Sequence, residues 1–341
     1  MKRSVRLAMF FFFVVTGCLV LWENYHKPRL LVLESYDKDY VWTQEVEEGI
    51  ARELDGNHWV TIRHHYMRTK RFSDAPSLRR AAAAGRKAVD DFRPQVILAV
   101  DDYAQKLVAR YYVNKPGIKI VFAGVNGRIE PYGYDHAANV TGILERKQIA
   151  ALREILTILA GSAGRPLKVA YLSDPALSSR CDVDTAAECD WSPHDYLGGY
   201  IVPDFVRWQK KVRELAGGLD YLLVSGYRKL PRRLGEEGFV PPKEVMAWTV
   251  ANLKVPVIGM NVFNSRDGAM LSVGVSPYEQ GEVAAKMALD LLSGRREVKD
   301  IPIKRASQYV VSMSESAMAR YRVKVPRVFE AFARATDNFY P

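Results

Sequence analysis

What most constrains this chain is a rhythm: short β-rich apolar runs ending in polar residues alternate with stretches of helical periodicity. Leu30–Leu33 ends in Glu34-Ser35-Tyr36-Asp37, and Val41–Leu54 follows with Val46, Ile50 and Leu54 on one helical side. Val60–His64 alternates as a strand does, Ser77–Phe92 reads as a helix, and Gln95–Val100 reads as a buried strand closed by Asp101-Asp102. Ala104–Tyr112 is helical, and the strand Lys119–Phe122 is closed by Ala123-Gly124-Val125-Asn126-Gly127. Short apolar runs separated by helices suit a parallel sheet covered on both faces, because parallel neighbours need crossover connections.

A second series of the same design follows. Helices are expected at Ile149–Leu159, Phe205–Leu215 and Lys243–Leu253. Strands are expected at Lys168–Leu172, Tyr200–Val202, Tyr221–Val224 and Val255–Gly259, closed by Ser173-Asp174, Ser225-Gly226-Tyr227 and Met260-Asn261. The strand-like run Gly268–Val275, a helix over Pro277–Leu292, strands at Ile301–Ile303 and Gln308–Val311, and a helix over Arg327–Ala335 complete the chain. At 341 residues it is longer than one compact α/β unit usually needs. The expected architecture is α/β, with two doubly wound parallel-sheet lobes and a ligand cleft between them. Lobe 1 takes 29–142 with a return over about 273–298. Lobe 2 takes 143–272 with part of about 299–325, and 326–341 forms a terminal helix and tail.

Open α/β sheets bind ligands beyond the carboxyl ends of their strands. The residues there are Ser35, Tyr36, Asp101, Asp102, Asn126, Ser173, Asp174, Ser225, Tyr227 and Asn261, and Trp42 adds an aromatic wall suited to a planar or apolar solute. Asp102 has a second reading as a helix cap, and Asn126 as a turn residue.

The amino terminus sets the compartment. Lys2, Arg3 and Arg6 precede an apolar stretch over Leu7–Trp22, the pattern of an export signal. Val15-Thr16-Gly17-Cys18 resembles a bacterial lipobox, with Cys18 as the lipidation site; apolar residues continue past the cysteine, and an uncleaved signal anchor is the competing reading. Residues 1–28 are thus a signal or membrane anchor, and the rest is extracytoplasmic. Cys181 and Cys189 remain, close together in a polar loop from Arg180 to Asp190, and an even pair in an exported domain reads as a disulfide. The net charge of +10 comes from basic residues spread along the chain without a nucleic-acid motif, so no nucleic-acid partner is expected.

Several segments together resemble the ABC-transporter substrate-binding family of type I periplasmic binding proteins. They are Ser35-Tyr36 through Trp42, Val100-Asp101-Asp102-Tyr103-Ala104, Ile120 through Asn126, Val140-Thr141-Gly142-Ile143-Leu144-Glu145, and the Gly281–Gly294 stretch after Val273-Gly274-Val275. The combination of Asp101-Asp102, Gly124-Val125-Asn126 and Thr141-Gly142 is also similar to extracytoplasmic sensor domains of bacterial sensor kinases. The resemblance implies a small-molecule solute, such as an amino acid or another planar compound. It also implies a membrane partner, either the permease of an ABC importer or a separate sensor. An insertion at 177–199 departs from both.

No catalytic pattern competes strongly. There is no G-x-S-x-G, no H-E-x-x-H and no phosphate loop, and His64-His65 point to opposite faces of a strand. The expectation is a binding protein without cofactor or metal, with an α/β hydrolytic enzyme as the rival class.

Overall fold

The computed structural model describes residues 2–161 and 164–341, which divide into two compact units. Unit 1 runs to Val125 and adds Ile129–Ile143 and Gln280–Ile303; unit 2 holds Asn126–Arg128, Leu144–Glu279 and Lys304–Pro341. The amino-terminal stretch forms α1 (Lys2–His26), with Leu7 and the run Phe10 to Phe13 exposed. Among the described residues no helix is long and apolar enough to cross a membrane.

Unit 1 contains β1 (Arg29–Glu34), α2 (Val41–Leu54), β2 (Thr61–Tyr66), α3 (Ala75–Phe92), β3 (Val96–Val100), α4 (Asp101–Leu107), β4 (Lys119–Val125) and β5 (Val140–Leu144). Its sheet runs β5-β4-β3-β1-β2, and the two-residue strand β11 (Lys304–Arg305) comes later in the chain. Strands β2, β1, β3 and β4 are parallel. β1 and β3 are buried on both faces, which is why their sequences are apolar throughout. Leu30 and Val32 on β1 pack with Val46 and Ile50 of α2 and with Ala284, Ala285 and Ala288 of α10 (Pro277–Leu292).

Unit 2 contains α5 (Ile149–Gly161), β6 (Lys168–Ser173), α6 (Leu177–Glu188), β7 (Asp195–Ile201), α7 (Phe205–Leu215), β8 (Tyr221–Val224), α8 (Pro242–Asn252), β9 (Val257–Gly259), α9 (Phe263–Arg266) and β10 (Leu271–Val275). After the return through unit 1 it adds β12 (Tyr309–Ser314), α11 (Glu315–Tyr321), α12 (Arg327–Ala335) and β13 (Phe339–Tyr340). The sheet order is β13-β12-β10-β9-β8-β6-β7, parallel except for the antiparallel β10/β12 pair.

In both units the first strand lies between the second and the third: β1 between β2 and β3, β6 between β7 and β8. Each sheet therefore reverses its winding there and opens a crevice at the carboxyl ends.

The structure corrects the expectations in five places. Ile301–Ile303, expected as a strand, is irregular, and pairing begins only at Lys304. Val140–Leu144 is a fully buried strand, too short for periodicity to declare it. The expected return at 273 begins at Gln280 instead, because β10 pairs with β9 and β12 in unit 2. The segment 177–199 is a helix and an edge strand rather than a polar loop. Helix α6 escaped notice because its buried face, Ser179, Asp182, Val183 and Ala186, is half polar. Finally, Cys181 and Cys189 form no disulfide. Cys181 sits within α6 and Cys189 caps it. An offset of eight positions along the helix sets them roughly 12 Å apart, whereas a disulfide needs Cα atoms within about 7 Å.

Candidate functional site

In unit 1 the crevice lies between the ends of β1 and β3. Ser35 ties them together: its Oγ donates to the Val100 carbonyl at 2.6 Å and accepts from the Ala104 amide at 2.8 Å. The Ser35 carbonyl accepts from the Thr69 hydroxyl at 2.8 Å and its amide at 2.9 Å. Ser35 is wholly buried, and these bonds make it a clamp between the two strand ends.

Beside it Tyr36 and Tyr40 meet edge to face at 5.4 Å, and the Lys70 ammonium sits 4.5 Å from the Tyr36 ring and 5.6 Å from the Tyr40 ring. Arg68 donates to Asp37 at 3.0 Å and holds this loop to the end of β2. Trp42 is partly buried against the unit 1 core.

Asp101 opens α4 with φ 64°, a left-handed conformation that costs a non-glycine residue about 1–2 kcal/mol. Its carboxylate lies against Gly124, where a Cβ would come within 3.0 Å of Oδ1; Gly124 itself has φ 64°. The Asp102 carboxylate accepts from the Tyr132 hydroxyl at 2.8 Å.

Unit 2 repeats the clamp. Ser173 Oγ lies 3.0 Å from Ser225 Oγ and accepts from the Gly226 amide at 3.0 Å, and the Asp174 amide donates to the Gly226 carbonyl at 2.8 Å. Asp174 accepts from the Ser179 hydroxyl at 2.6 Å and from the amides of Ala176 and Lys229 at 3.1 Å. Gly226 is required by space, since a Cβ there would collide with Ser179 Oγ. Tyr227 turns away into the core: its ring packs edge-on to Trp208 and Phe263, and its hydroxyl donates to Asp267 at 2.8 Å.

A buried ionic network lies beside this clamp. The Lys147 ammonium donates to Glu145 at 3.0 Å and to Asn261 Oδ1 at 2.8 Å, and lies 3.9 Å from Asp182. The Asn126 amide donates to the other Glu145 oxygen at 2.9 Å, and Arg146 holds the Asn126 and Gly127 carbonyls. Side-chain exposure is 3% for Lys147 and 8% for Asp182. Burial pushes the Asp182 carboxyl up to about 7; Lys147 opposes the rise, and the Glu145 and Asp174 carboxylates add to it.

The expected residues therefore divide by unit. Ser35, Tyr36, Trp42, Asp101 and Asp102 furnish unit 1, and Asn126, Ser173, Asp174, Ser225, Tyr227 and Asn261 belong to unit 2. Sequence reasoning missed Glu145, Lys147 and Asp182. Glu145 and Lys147 follow β5, and recognising that strand would have exposed them as strand-end residues. Asp182 lies on the helix that was read as a loop.

The family model described as ABC transporter substrate binding protein matches residues 243–336. None of the curated proteins matches the chain. Among solved structures, the ligand-free, open form of a substrate binding protein with adhesive properties from Clostridium difficile is similar: TM-score 0.66, 16% identity, covering 92% of this chain and 98% of that one. An ABC domain in complex with L-Trp from Streptococcus pneumoniae follows at TM-score 0.62 and 13% identity, covering 90% and 98%. The TorS sensor domain–TorT complex, without ligand, gives TM-score 0.50 and 11% identity, covering 88% and 97%. The fold is that of the type I periplasmic binding proteins, α/β with two units of mainly parallel sheet.

Proposed function

We propose that this chain is an extracytoplasmic solute-binding protein whose two units close on a small molecule, rather than an enzyme. The observation that carries the reading is Asp101. A buried aspartate is held in a strained left-handed conformation at the winding reversal of a doubly wound sheet, packed against a glycine that leaves room for it. Tyr36 and Tyr40 offer aromatic surface for an amino acid or another planar solute, and Asn126 and Asn261 offer amides from unit 2. A ligand that binds the closed form better than the open one shifts the population between them.

The partner proposed is the membrane permease of an ABC importer, which the family match over 243–336 favours; a separate sensor protein is the alternative. The tether proposed is a lipid on Cys18, exposed on the apolar helix α1. Cys18→Ser then abolishes fatty-acid labelling, and equal labelling of the variant would leave the anchor-helix reading.

The test of function is mass spectrometry of the solute that co-purifies with the whole protein, followed by calorimetric titration with it. Removing one buried hydrogen-bonding partner costs about 1–3 kcal/mol, so Asp101→Ala or Tyr36→Ala weakens binding at least several-fold while circular dichroism is unchanged. Undiminished affinity in both variants overturns the assignment of the site, and turnover of the solute overturns the binding-protein reading.

A further inference from the structure

At the carboxyl end of the unit 1 sheet, three wholly buried side chains carry hydrogen-bonding atoms that no described residue satisfies. These are both carboxyl oxygens of Glu34, the Thr43 hydroxyl and Nε2 of Gln280. Glu34 closes β1 on the same face as Leu30 and Val32, the face covered by α2 and α10. Thr43 lies in the first turn of α2, one turn before Glu47, whose charge reaches Glu34. Gln280 lies in the first turn of α10, and its Oε1 accepts from the Gly124 amide at 2.8 Å, so only its NH2 is left to find a partner. The two helices touch at Gly281, where a Cβ would collide with the Val46 carbonyl and lie 2.9 Å from the Ile50 amide. All the unmet groups thus belong to one layer, between β1 and the amino ends of α2 and α10.

We propose that this layer is a closed hydration site, holding one or two ordered water molecules between Glu34, Thr43 and Gln280. The guest must both give and accept hydrogen bonds, since Gln280 presents a donor, Glu34 presents acceptors and Thr43 presents either. A metal ion would face the N–H bonds of Gln280, and an apolar guest would leave every group unmet. Water with two to four polar partners meets all of them. Burial holds the Glu34 carboxyl well above the usual range, with Glu47 adding to it. Gln280 is the first residue of unit 1 after the chain returns from unit 2. The water therefore fixes the turn of re-entry to β1, and it does so without touching the proposed solute.

A crystal structure of the whole protein at a resolution that reveals waters tests this directly. Density for a water within about 3.2 Å of both Glu34 and Gln280 is expected. A direct Glu34–Gln280 hydrogen bond, or an empty layer, overturns it. A double-variant cycle on the melting temperature tests it in solution. Thr43→Val and Gln280→Leu each lower the midpoint by about 2–4 °C, and the double variant loses clearly less than the sum because one water is shared. Additive losses refute the shared guest; if Thr43→Val does not fold, Thr43→Ala, which also removes the hydroxyl, completes the cycle with Gln280→Leu. Neither readout depends on solute, so failure here is separable from failure of the binding-protein reading.

Discussion

The two units use one winding for opposite purposes. In unit 2 the polar groups at the strand ends satisfy one another: Lys147 joins Glu145 to Asn261, Ser173 joins Gly226, and Asp174 receives a hydroxyl and two amides. In unit 1 the equivalent end stores strain, with Asp101 left-handed, and Glu34, Thr43 and Gln280 find no partner among the described residues and turn instead to the water proposed above. Ser35 and Ser173 occupy matching places, each tying the first strand to the third. The clamp is thus a property of the winding, while the surrounding chemistry is free to differ. A saturated network resists change, and a strained one can give it up.

The sharpest break of this contrast is Lys147→Met. It leaves Glu145 facing Asp182 without a counter-charge, and breaking a buried ion pair costs about 3–5 kcal/mol. Denaturant unfolding should show the loss; a change below about 1 kcal/mol would mean the network is not what holds unit 2 together at this end.

The next effect is in pH. The folded-state pKa of Asp182, about 7, lies above its unfolded value, so the folded state holds this proton more tightly. Its contribution to stability is complete below about pH 4. It declines as pH rises toward 7 and levels off above that. Asp182→Asn should remove the decline, and urea midpoints of the two proteins measured from pH 4 to pH 8 should converge toward the acid end. Parallel curves would show that Asp182 is not the titrating group.

Asp101→Gly probes the strain of unit 1. Relief of about 1–2 kcal/mol is offset by about 0.5–1 kcal/mol of backbone entropy, giving a protein as stable as wild type or up to about 1.5 kcal/mol more so. Solute affinity should fall in the same variant. Lower stability with intact affinity would reverse the role assigned to Asp101.

The smallest effect expected is at the cysteines. Thiol titration of the unreduced, unfolded protein should find both Cys181 and Cys189 reactive, and Cys189→Ser should shift stability by less than about 0.5 kcal/mol. A disulfide between them would require α6 to unwind.

The sequence by itself determined the layered α/β class, the two-part organisation and the strand-end positions where Asp101 and Tyr36 lie. Local patterns carry these: apolar runs such as Val96–Val100 declare a buried strand, and the residue that closes the run is known once the run is known. The contacts those strand-end residues make were decided by tertiary structure. Ser35 and Ser173 became clamps, and Tyr227 became core, because each meets partners more than 20 positions away in the chain. Helix α6 and strand β5 went unread, the first because its buried face is half polar and the second because five residues are too few for a period. With them went Glu145, Lys147 and Asp182, whose charges come together only when β5 and α6 are both in place. Periodicity reports which face of an element is buried; it cannot report what another element brings to that face.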